Sequence, residues 1–184
     1  MPDQIATERV QVVEVKIQDL TDENFGPYGQ VLSPAMPIFP DVDPGVGRVA
    51  IEMSRLGANW RRSHLEEMAV HFSYNQTFIM LKGSQILVVA PPPRNRMAPV
   101  KEYEIQYDKL AAFVVEAGEA VLINKGVWHN SLTLGPVVYA NVTRKDPGEG
   151  TTKTPPPGMI PRDREYIGSV DLAKRDGKII KVVF

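Results

Sequence analysis

Two segments of the sequence contain side chains that could bind a metal ion or transfer a proton. Residues 69–83 include His71 and Gln76, and residues 118–129 end in His129. An imidazole changes its protonation state near neutral pH, and its neutral form is a common metal ligand. His71, Gln76 and His129 are therefore candidates for one site, provided that the fold brings the two segments together.

Short strands are predicted to position these side chains. Residues 120–123 form an apolar strand that is followed by a turn at residues 124–126. Beyond the turn, strand alternation places Val127 and His129 on one side of the chain and Trp128 on the other. A β-barrel binds a small ligand at its mouth, so an inward-pointing His at this place would line the ligand site.

The same kind of short apolar stretch, bounded by Gly, Pro or Asn, recurs along the chain and is typical of strands. Thr21 reads as the N-cap of a short helix at residues 21–25. Gly83 is predicted to be the turn of a hairpin between strands at 77–81 and 84–90. Many short strands without a long amphipathic helix favour a β-sandwich or barrel. Further strands are predicted at residues 9–17, 30–32, 46–56, 68–72, 111–115, 137–142 and 178–184.

Composition excludes several classes of protein. The chain of 184 residues is long enough for a single domain, 1–184, with a core at about 11–146 and a Pro-rich connection and C-terminal tail at 147–184. The 21 basic and 22 acidic residues nearly balance, so we expect a small-molecule partner rather than nucleic acid or a membrane. The absence of Cys excludes thiolate ligands. Without a secretory signal or a long apolar stretch, a cytoplasmic location is expected.

The two segments resemble the two sequence motifs of the cupin superfamily. The pattern Gly-x5-Pro-x-Gly-x2-His matches residues 118–129, with Asn124 at the Pro position. The pattern His-x-His-x4-Glu-x6-Gly matches residues 69–83, with Ala69 at the first His and Gln76 at the Glu. The resemblance implies an all-β-dominated, cupin-type β-barrel, which is a double-stranded β-helix or jelly roll, with short flanking helices.

In cupins, the matched positions hold a divalent metal, and here they correspond to His71, Gln76 and His129. Three neutral ligands offset the charge of a dication poorly. We therefore expect weak or substrate-assisted binding of a metal such as Ni²⁺ or Mn²⁺, and no organic cofactor. Loss of the two-His-one-carboxylate triad argues against a dioxygenase.

The combined motifs are similar to the ureidoglycolate lyase family over roughly residues 11–146. The resemblance implies cleavage of (S)-ureidoglycolate to glyoxylate and urea in purine or allantoin nitrogen recovery, by a homodimer. The matching stretches are residues 20–31, 71–83, 127–129 and 142–144.

This reaction requires that the substrate hydroxyl lose a proton and that the urea nitrogen gain one, which a His can do near neutral pH. A Lys would stabilise the developing alkoxide, and an Arg would bind the carboxylate through two hydrogen bonds. Glu67 has a counterpart in the family and could orient a His or act as a base. The resemblance implies the catalytic residues His129, His71, Lys82 and Glu67, and the substrate-binding residues Arg55, Arg144, Lys125 and Gln76.

Two other functions stay open on the sequence alone. One is a cupin enzyme that acts on another small hydroxy or ureido acid, because sites on one fold diverge in chemistry. The other is a non-catalytic cupin that binds a small acid. His64 has no motif support and is expected to be exposed, and Trp128 is expected to pack rather than to contact a ligand. The sequence does not identify the metal or the His that moves the proton.

Overall fold

The computed structural model describes residues 10–45, 47–59, 64–95, 102–145 and 167–184 of the chain. No helix among them is long and apolar enough to cross a membrane. Two short helices are present, α1 (Asp22–Phe25) and α2 (Leu172–Asp176). The strands are β1 (Gln11–Gln18), β2 (Gly29–Val31), β3 (Arg48–Leu56), β4 (His64–Leu65), β5 (Glu67–His71), β6 (Gln76–Lys82), β7 (Gln85–Ala90), β8 (Ala111–Val115), β9 (Ala120–Ile123), β10 (Trp128–Thr133), β11 (Val137–Lys145), β12 (Ile167–Asp171) and β13 (Lys178–Val183).

These strands form two sheets. The larger has the order β12-β5-β10-β7-β8-β1-β13-β4, and the smaller has the order β2-β9-β6-β11-β3. Between β5 and β11 the chain crosses repeatedly from one sheet to the other, and the pairs within this region are antiparallel. This topology confirms the predicted cupin-type jelly roll. The short helix is also confirmed, because the Thr21 hydroxyl accepts a hydrogen bond from the Asn24 amide at its start.

The predicted hairpin across Gly83 is wrong. β6 lies in the smaller sheet between β9 and β11, whereas β7 lies in the larger sheet between β10 and β8. Gly83 has a φ of 77°, and a Cβ there would lie 2.6 Å from the carbonyl oxygen of Pro136, so the turn requires glycine. The turn is a corner between the sheets, and the local sequence pattern of such a corner resembles that of a hairpin.

Apolar residues fill the space between the sheets on the side of β8. The Phe25 and Phe113 rings pack edge to face with their centroids 5.2 Å apart, and Tyr28 packs against Phe113 at 6.1 Å. Gly29 makes this packing possible, because a Cβ there would lie 1.8 Å from the Leu122 carbonyl oxygen. The side of the barrel formed by β5, β6 and β10 is instead where polar side chains are buried.

The C-terminal segment belongs to the larger sheet, although the sequence predicted only a closing strand in a tail. β13 pairs in parallel with β1 through six residue pairs, which confirms that closing strand. β12 pairs along the whole of β5. Arg175 holds this segment in place: its guanidinium donates to both carboxylate oxygens of Asp176 and to the Tyr103 carbonyl, and Asp176 also accepts from the Tyr107 hydroxyl at 2.6 Å.

Candidate active site

Three side chains from three strands converge on one point inside the barrel. The Gln76 carbonyl oxygen lies 3.1 Å from Nε2 of His71 and 2.9 Å from Nε2 of His129. The two imidazole rings are 4.9 Å apart between centroids and are only 8% and 5% exposed. The structure therefore brings together the three residues that the two sequence segments predicted as one site.

A tight turn sets the position of His129 relative to His71. Gly126 has a φ of 83°, which favours glycine, and its amide donates to the His71 carbonyl at 2.5 Å. In β10, His129 is then opposite Ala69 of β5. Val127 packs between the sheets and Trp128 packs on the other face of the larger sheet, so the predicted alternation is confirmed. Trp128 is fully buried and donates to the Glu104 carbonyl, as expected for a packing residue.

The neighbouring strand fixes the orientation of the Gln76 amide. Its nitrogen donates to Oδ1 of Asn141 on β11 at 2.9 Å. This bond leaves the carbonyl oxygen of Gln76 facing the two imidazoles, so the site presents an oxygen acceptor there rather than an N–H donor.

His129 faces hydrogen-bond acceptors at both of its ring nitrogens. Nδ1 lies 3.0 Å from the Val127 carbonyl oxygen, and Nε2 faces the Gln76 oxygen. A neutral imidazole has one N–H and can satisfy only one of these two oxygens. If Nδ1 donates to Val127, the lone pair on Nε2 points at an oxygen, and a cation placed between them would remove this repulsion.

Burial keeps both histidines neutral. Desolvation and, less strongly, the neighbouring His129 together lower the pKa of His71 to about 3, although the hydrogen bond with Gln76 acts in the opposite direction. Burial likewise lowers the pKa of His129, against the effect of the Val127 carbonyl, which raises it. Neutral imidazoles are the form that binds a metal or accepts a proton.

The donor set fits a weakly held divalent cation. Two imidazole nitrogens and one amide oxygen converge, and the described residues contain no group of three or more His, Cys, Asp or Glu residues that could hold a metal ion. His129 has the Val127 carbonyl as a partner for its second nitrogen, whereas Nδ1 of His71 is buried without a partner in the described chain. An outer partner of this kind supports metal affinity, so its absence at His71 is consistent with weak binding.

The three side chains lie in an open cavity of about 420 Å³. Glu67, Ala69 and His71 line it from alternate positions of β5, and Ser169 of β12 is opposite Ala69. Ala69 occupies the position of the first His of the cupin motif, so a short apolar side chain lines the cavity there. The other lining residues are Leu56, Asn59, Met68, Gln76, Phe78, His129, Asn130, Ser131 and Tyr139.

The predicted basic residues do not line this cavity. The ammonium group of Lys125 lies 2.6 Å from an oxygen of Asp41 and 2.5 Å from one of Asp43. Arg144 is buried on the opposite face of β11, at 4% exposure. Arg55 and Lys82 are exposed. Their substrate-binding and catalytic roles stay predictions, whereas Glu67, His71, Gln76 and His129 are together at the cavity.

Sequence reasoning missed several residues of this cavity. Asn59 follows β3 in an irregular segment, and Ser169 comes from the C-terminal segment, so neither belongs to a recognisable motif. Asn141, which orients Gln76 but does not line the cavity, could have been found, because alternation from Thr143 places it on the inner face of β11. His64, which the sequence analysis expected to be exposed, lines an adjoining cavity.

The jelly-roll fold and the buried His-Gln-His set define a cupin that lacks one His and the Glu of the cupin motifs. Within that class, the chain belongs to the ureidoglycolate lyase family, whose model matches residues 12–154. The match includes all of the three converging residues and ends before the C-terminal strands. None of the curated proteins compared with the chain matches it.

Solved structures similar to this chain are cupins of low sequence identity. RmlC from Streptococcus suis, in complex with dTDP-D-xylose, has 13% identity and a TM-score of 0.37, over 53% of this chain and 44% of that one. Oxalate decarboxylase from Lactobacillus farciminis, in a formate complex, has 14% identity and a TM-score of 0.40, over 80% and 32%. A cupin-2 domain protein from Shewanella frigidimarina has 15% identity and a TM-score of 0.34, over 67% and 91%. The chain thus spans less than half the length of the first two.

The buried neutral histidines predict a loss of stability in mild acid. Below pH 6.5 the unfolded chain binds protons at these histidines and the folded chain does not, so the free energy of unfolding falls as pH falls. Between pH 7.5 and 5.0, His71 should contribute a loss of about 2 kcal/mol, and His129 should add to it. Guanidinium unfolding at fixed protein concentration measures this difference.

A His71→Gln variant is the control, because it removes one of the two titrating groups and should reduce the difference. Three carboxyl groups also have a shifted pKa, which is lowered in Asp41, Asp171 and Asp176. Their contribution to the free energy of unfolding is lost only below about pH 3.8, the ordinary pKa of Asp, so it does not change between pH 7.5 and 5.0. Equal stability of the unaltered protein at the two pH values would contradict the prediction.

Proposed function

We propose that the protein is a carbon–nitrogen lyase that cleaves (S)-ureidoglycolate to glyoxylate and urea. The observation that carries the proposal is the convergence of His71, Gln76 and His129 in a cavity of a chain that belongs to the ureidoglycolate lyase family. We place the reaction in cytoplasmic purine or allantoin nitrogen recovery, following the family resemblance.

The chemistry requires one proton to move from oxygen to nitrogen. A neutral imidazole accepts the proton of the substrate hydroxyl, the oxygen lone pair forms the aldehyde carbonyl, and the bond between carbon and the urea nitrogen breaks. The departing nitrogen takes up a proton, so the products are glyoxylate and neutral urea without any redox change. His71 and His129 are the two neutral bases that face the cavity.

A divalent metal fits the same point as an alternative to proton transfer by these imidazoles, because an Nε2 atom that holds a metal has no lone pair left to accept a proton. His71, Gln76 and His129 would hold it through two nitrogens and one oxygen. When bound, Ni²⁺ or Mn²⁺ would lower the pKa of the substrate hydroxyl and offset the negative charge that develops on its oxygen. Gln76 keeps its oxygen toward this point through its bond to Asn141.

A homodimer is supported by the outer face of β3. Val49, Ile51 and Met53 point outward and are 49%, 75% and 60% exposed, while the alternating Glu52 and Ser54 face the interior. This is the reverse of the usual pattern for a sheet with one solvated face. β3 is also the last strand of its sheet, and the net charge of −1 opposes self-association very little. A second copy of this chain is the partner that we propose for this surface.

Turnover of racemic ureidoglycolate tests the proposed reaction. We expect glyoxylate and urea in equal amounts, with consumption of half of the racemate, and a stimulation by Ni²⁺ or Mn²⁺. His129→Ala should lower the rate by roughly two to four orders of magnitude, because it removes a base. Thermal unfolding of the variant confirms that it is folded.

If neither enantiomer is consumed, with or without metal, the lyase proposal fails. Binding of a small acid without turnover would then identify a non-catalytic cupin. Turnover of a different hydroxy or ureido acid would keep the site and change the substrate.

The Asn141–Gln76 hydrogen bond predicts a difference between two variants in metal affinity. Asn141→Leu removes the acceptor and frees the amide of Gln76, so Ni²⁺ affinity should fall about 10-fold or more. Asn141→Asp keeps an oxygen acceptor and should retain most of the affinity. Calorimetric titration with Ni²⁺ measures both, and an unchanged affinity in Asn141→Leu would show that this bond does not position Gln76.

The proposed dimer surface predicts the effect of a charge on the solution mass. Ile51→Lys should convert the dimer to a monomer, because the added ammonium group would be buried without a partner. Val12→Lys is the matched control, since Val12 is 48% exposed on β1 and outside the surface. Light scattering after gel filtration gives the mass. A monomeric unaltered protein, or a dimeric Ile51→Lys variant, contradicts the proposed surface.

A further inference from the structure

The candidate active site continues into a second cavity. A chamber of about 540 Å³ adjoins the inner cavity of about 420 Å³. Four residues line both of them, so the two spaces meet at these residues, and we call them the inner and the outer chamber. The shared residues, which we call the junction, are Asn59, Glu67, Asn130 and Ser131.

The outer chamber differs from the inner one in its chemistry. It carries two carboxylates, Glu66 and Glu67, and His64, whose Nε2 lies 3.0 Å from a Glu66 oxygen. No Lys or Arg is among the described residues that line it. The two carboxylates can accept hydrogen bonds from neutral N–H groups. The outer chamber and its junction therefore suit a neutral group that has both N–H donors and an oxygen acceptor.

Asn59 presents a fixed N–H donor at the junction. Its side-chain oxygen accepts from the Thr133 amide at 2.5 Å and lies 3.1 Å from the Thr133 hydroxyl, which donates to the Gly57 carbonyl at 2.6 Å. Its own backbone amide donates to the same hydroxyl at 3.0 Å. Because these bonds use the amide oxygen, the NH₂ group of Asn59 is the end that is left for a ligand.

Glu67 presents an acceptor at a suitable distance from the reacting groups. Glu67 precedes Ala69 by two residues on β5, and Ala69 is paired with His129. Because a strand rises about 3.3 Å per residue, Glu67 is about 7 Å along the strand from the residue that faces His129. Asn130 fixes this region, because its NH₂ group donates to the Glu67 backbone carbonyl at 2.8 Å. The length of a ureido group plus one hydrogen bond is close to this distance along the strand.

We propose that the junction is a subsite for the ureido group of the substrate. The terminal NH₂ of the ureido group donates to the Glu67 carboxylate, and the NH₂ of Asn59 donates to the ureido carbonyl. The carbon that carries the hydroxyl then lies toward His71 and His129, and urea leaves through the outer chamber. The identity of the ligand rests on the proposed ureidoglycolate cleavage, whereas the recognition of a terminal carbamoyl group can be measured without turnover.

A pair of unreactive acids isolates the contact with the terminal NH₂. N-carbamoylglycine has the carboxylate and ureido group of the substrate but lacks the hydroxyl. N-acetylglycine has nearly the same shape, with a methyl group in place of the terminal NH₂. The full chain should bind the carbamoyl acid about 10-fold more tightly, as expected for a hydrogen bond to a charged acceptor. Calorimetric titration, with and without Mn²⁺, measures the ratio of the two dissociation constants.

Variants at adjacent positions provide the controls. Glu67→Met removes the acceptor and should reduce the ratio to roughly 1, because the methionine side chain accepts hydrogen bonds only weakly. Glu66→Met makes the same change one residue away and should preserve the ratio. Asn59→Asp keeps an oxygen for Thr133 but loses the donor, so it should weaken both acids and leave their ratio unchanged.

Equal affinity of the unaltered protein for the two acids, or no binding of either, overturns the subsite. A ratio that persists in Glu67→Met also overturns it. If Glu67→Met does not fold, the ratio of the unaltered protein and the effect of Asn59→Asp decide the question. A carbamoyl preference without glyoxylate formation would keep the subsite and reject the lyase, and turnover without the preference would do the opposite.

Discussion

The contact of one amide oxygen with two buried imidazoles links the two sheets of this barrel. Gln76 belongs to the smaller sheet, whereas His71 and His129 belong to the larger one. Buried polar groups are costly unless they have partners, so the sheets must hold these three atoms in register. The hydrogen bond from Gln76 to Asn141 holds the amide oxygen in place, and the hydrogen bond from the Gly126 amide to the His71 carbonyl ties the turn before His129 to the end of β5. The same burial keeps the imidazoles neutral and thereby determines what the site can bind.

A polar interior at this side of the barrel changes the outer surface of the smaller sheet. Asn141, Glu52 and Ser54 are on the same face as the cavity-lining Leu56 and Tyr139, so Val49, Ile51 and Met53 of β3 point outward. Strand alternation makes this exchange unavoidable, because successive side chains leave the strand on opposite faces. The exposed apolar surface is thus connected to the chemistry of the interior. A partner that covers this surface would bury the apolar side chains of β3, which cannot pack in the interior because the cavity occupies that side of the strand.

Much of the fold follows from the sequence because most strands are signalled by local alternation and by Gly or Pro at their ends. The corner at Gly83 was the exception: a turn between sheets and a turn between paired strands use the same residue type. The sequence predicted that His71, Gln76 and His129 form one site, because the spacing of the two motifs implies that these residues converge. It was not predictable where geometry depends on long-range contacts. Lys125 illustrates this, because two Asp residues more than eighty positions away hold its ammonium group.

If the site acts as we propose, the replacement of a cupin His by Ala69 shifts the discrimination between ligands from the metal to the cavity wall. A full set of charged ligands would hold a cation tightly and leave the substrate to complete its coordination. Here the ligands are neutral, and the space at Ala69 opens toward Ser169 and the junction with Glu67 and Asn59. On the proposed function, weak metal binding would make the orientation of the substrate depend on hydrogen bonds from the protein itself. A site that bonds to a ligand NH₂ rejects analogues without it more strongly than an apolar pocket rejects a missing methyl group.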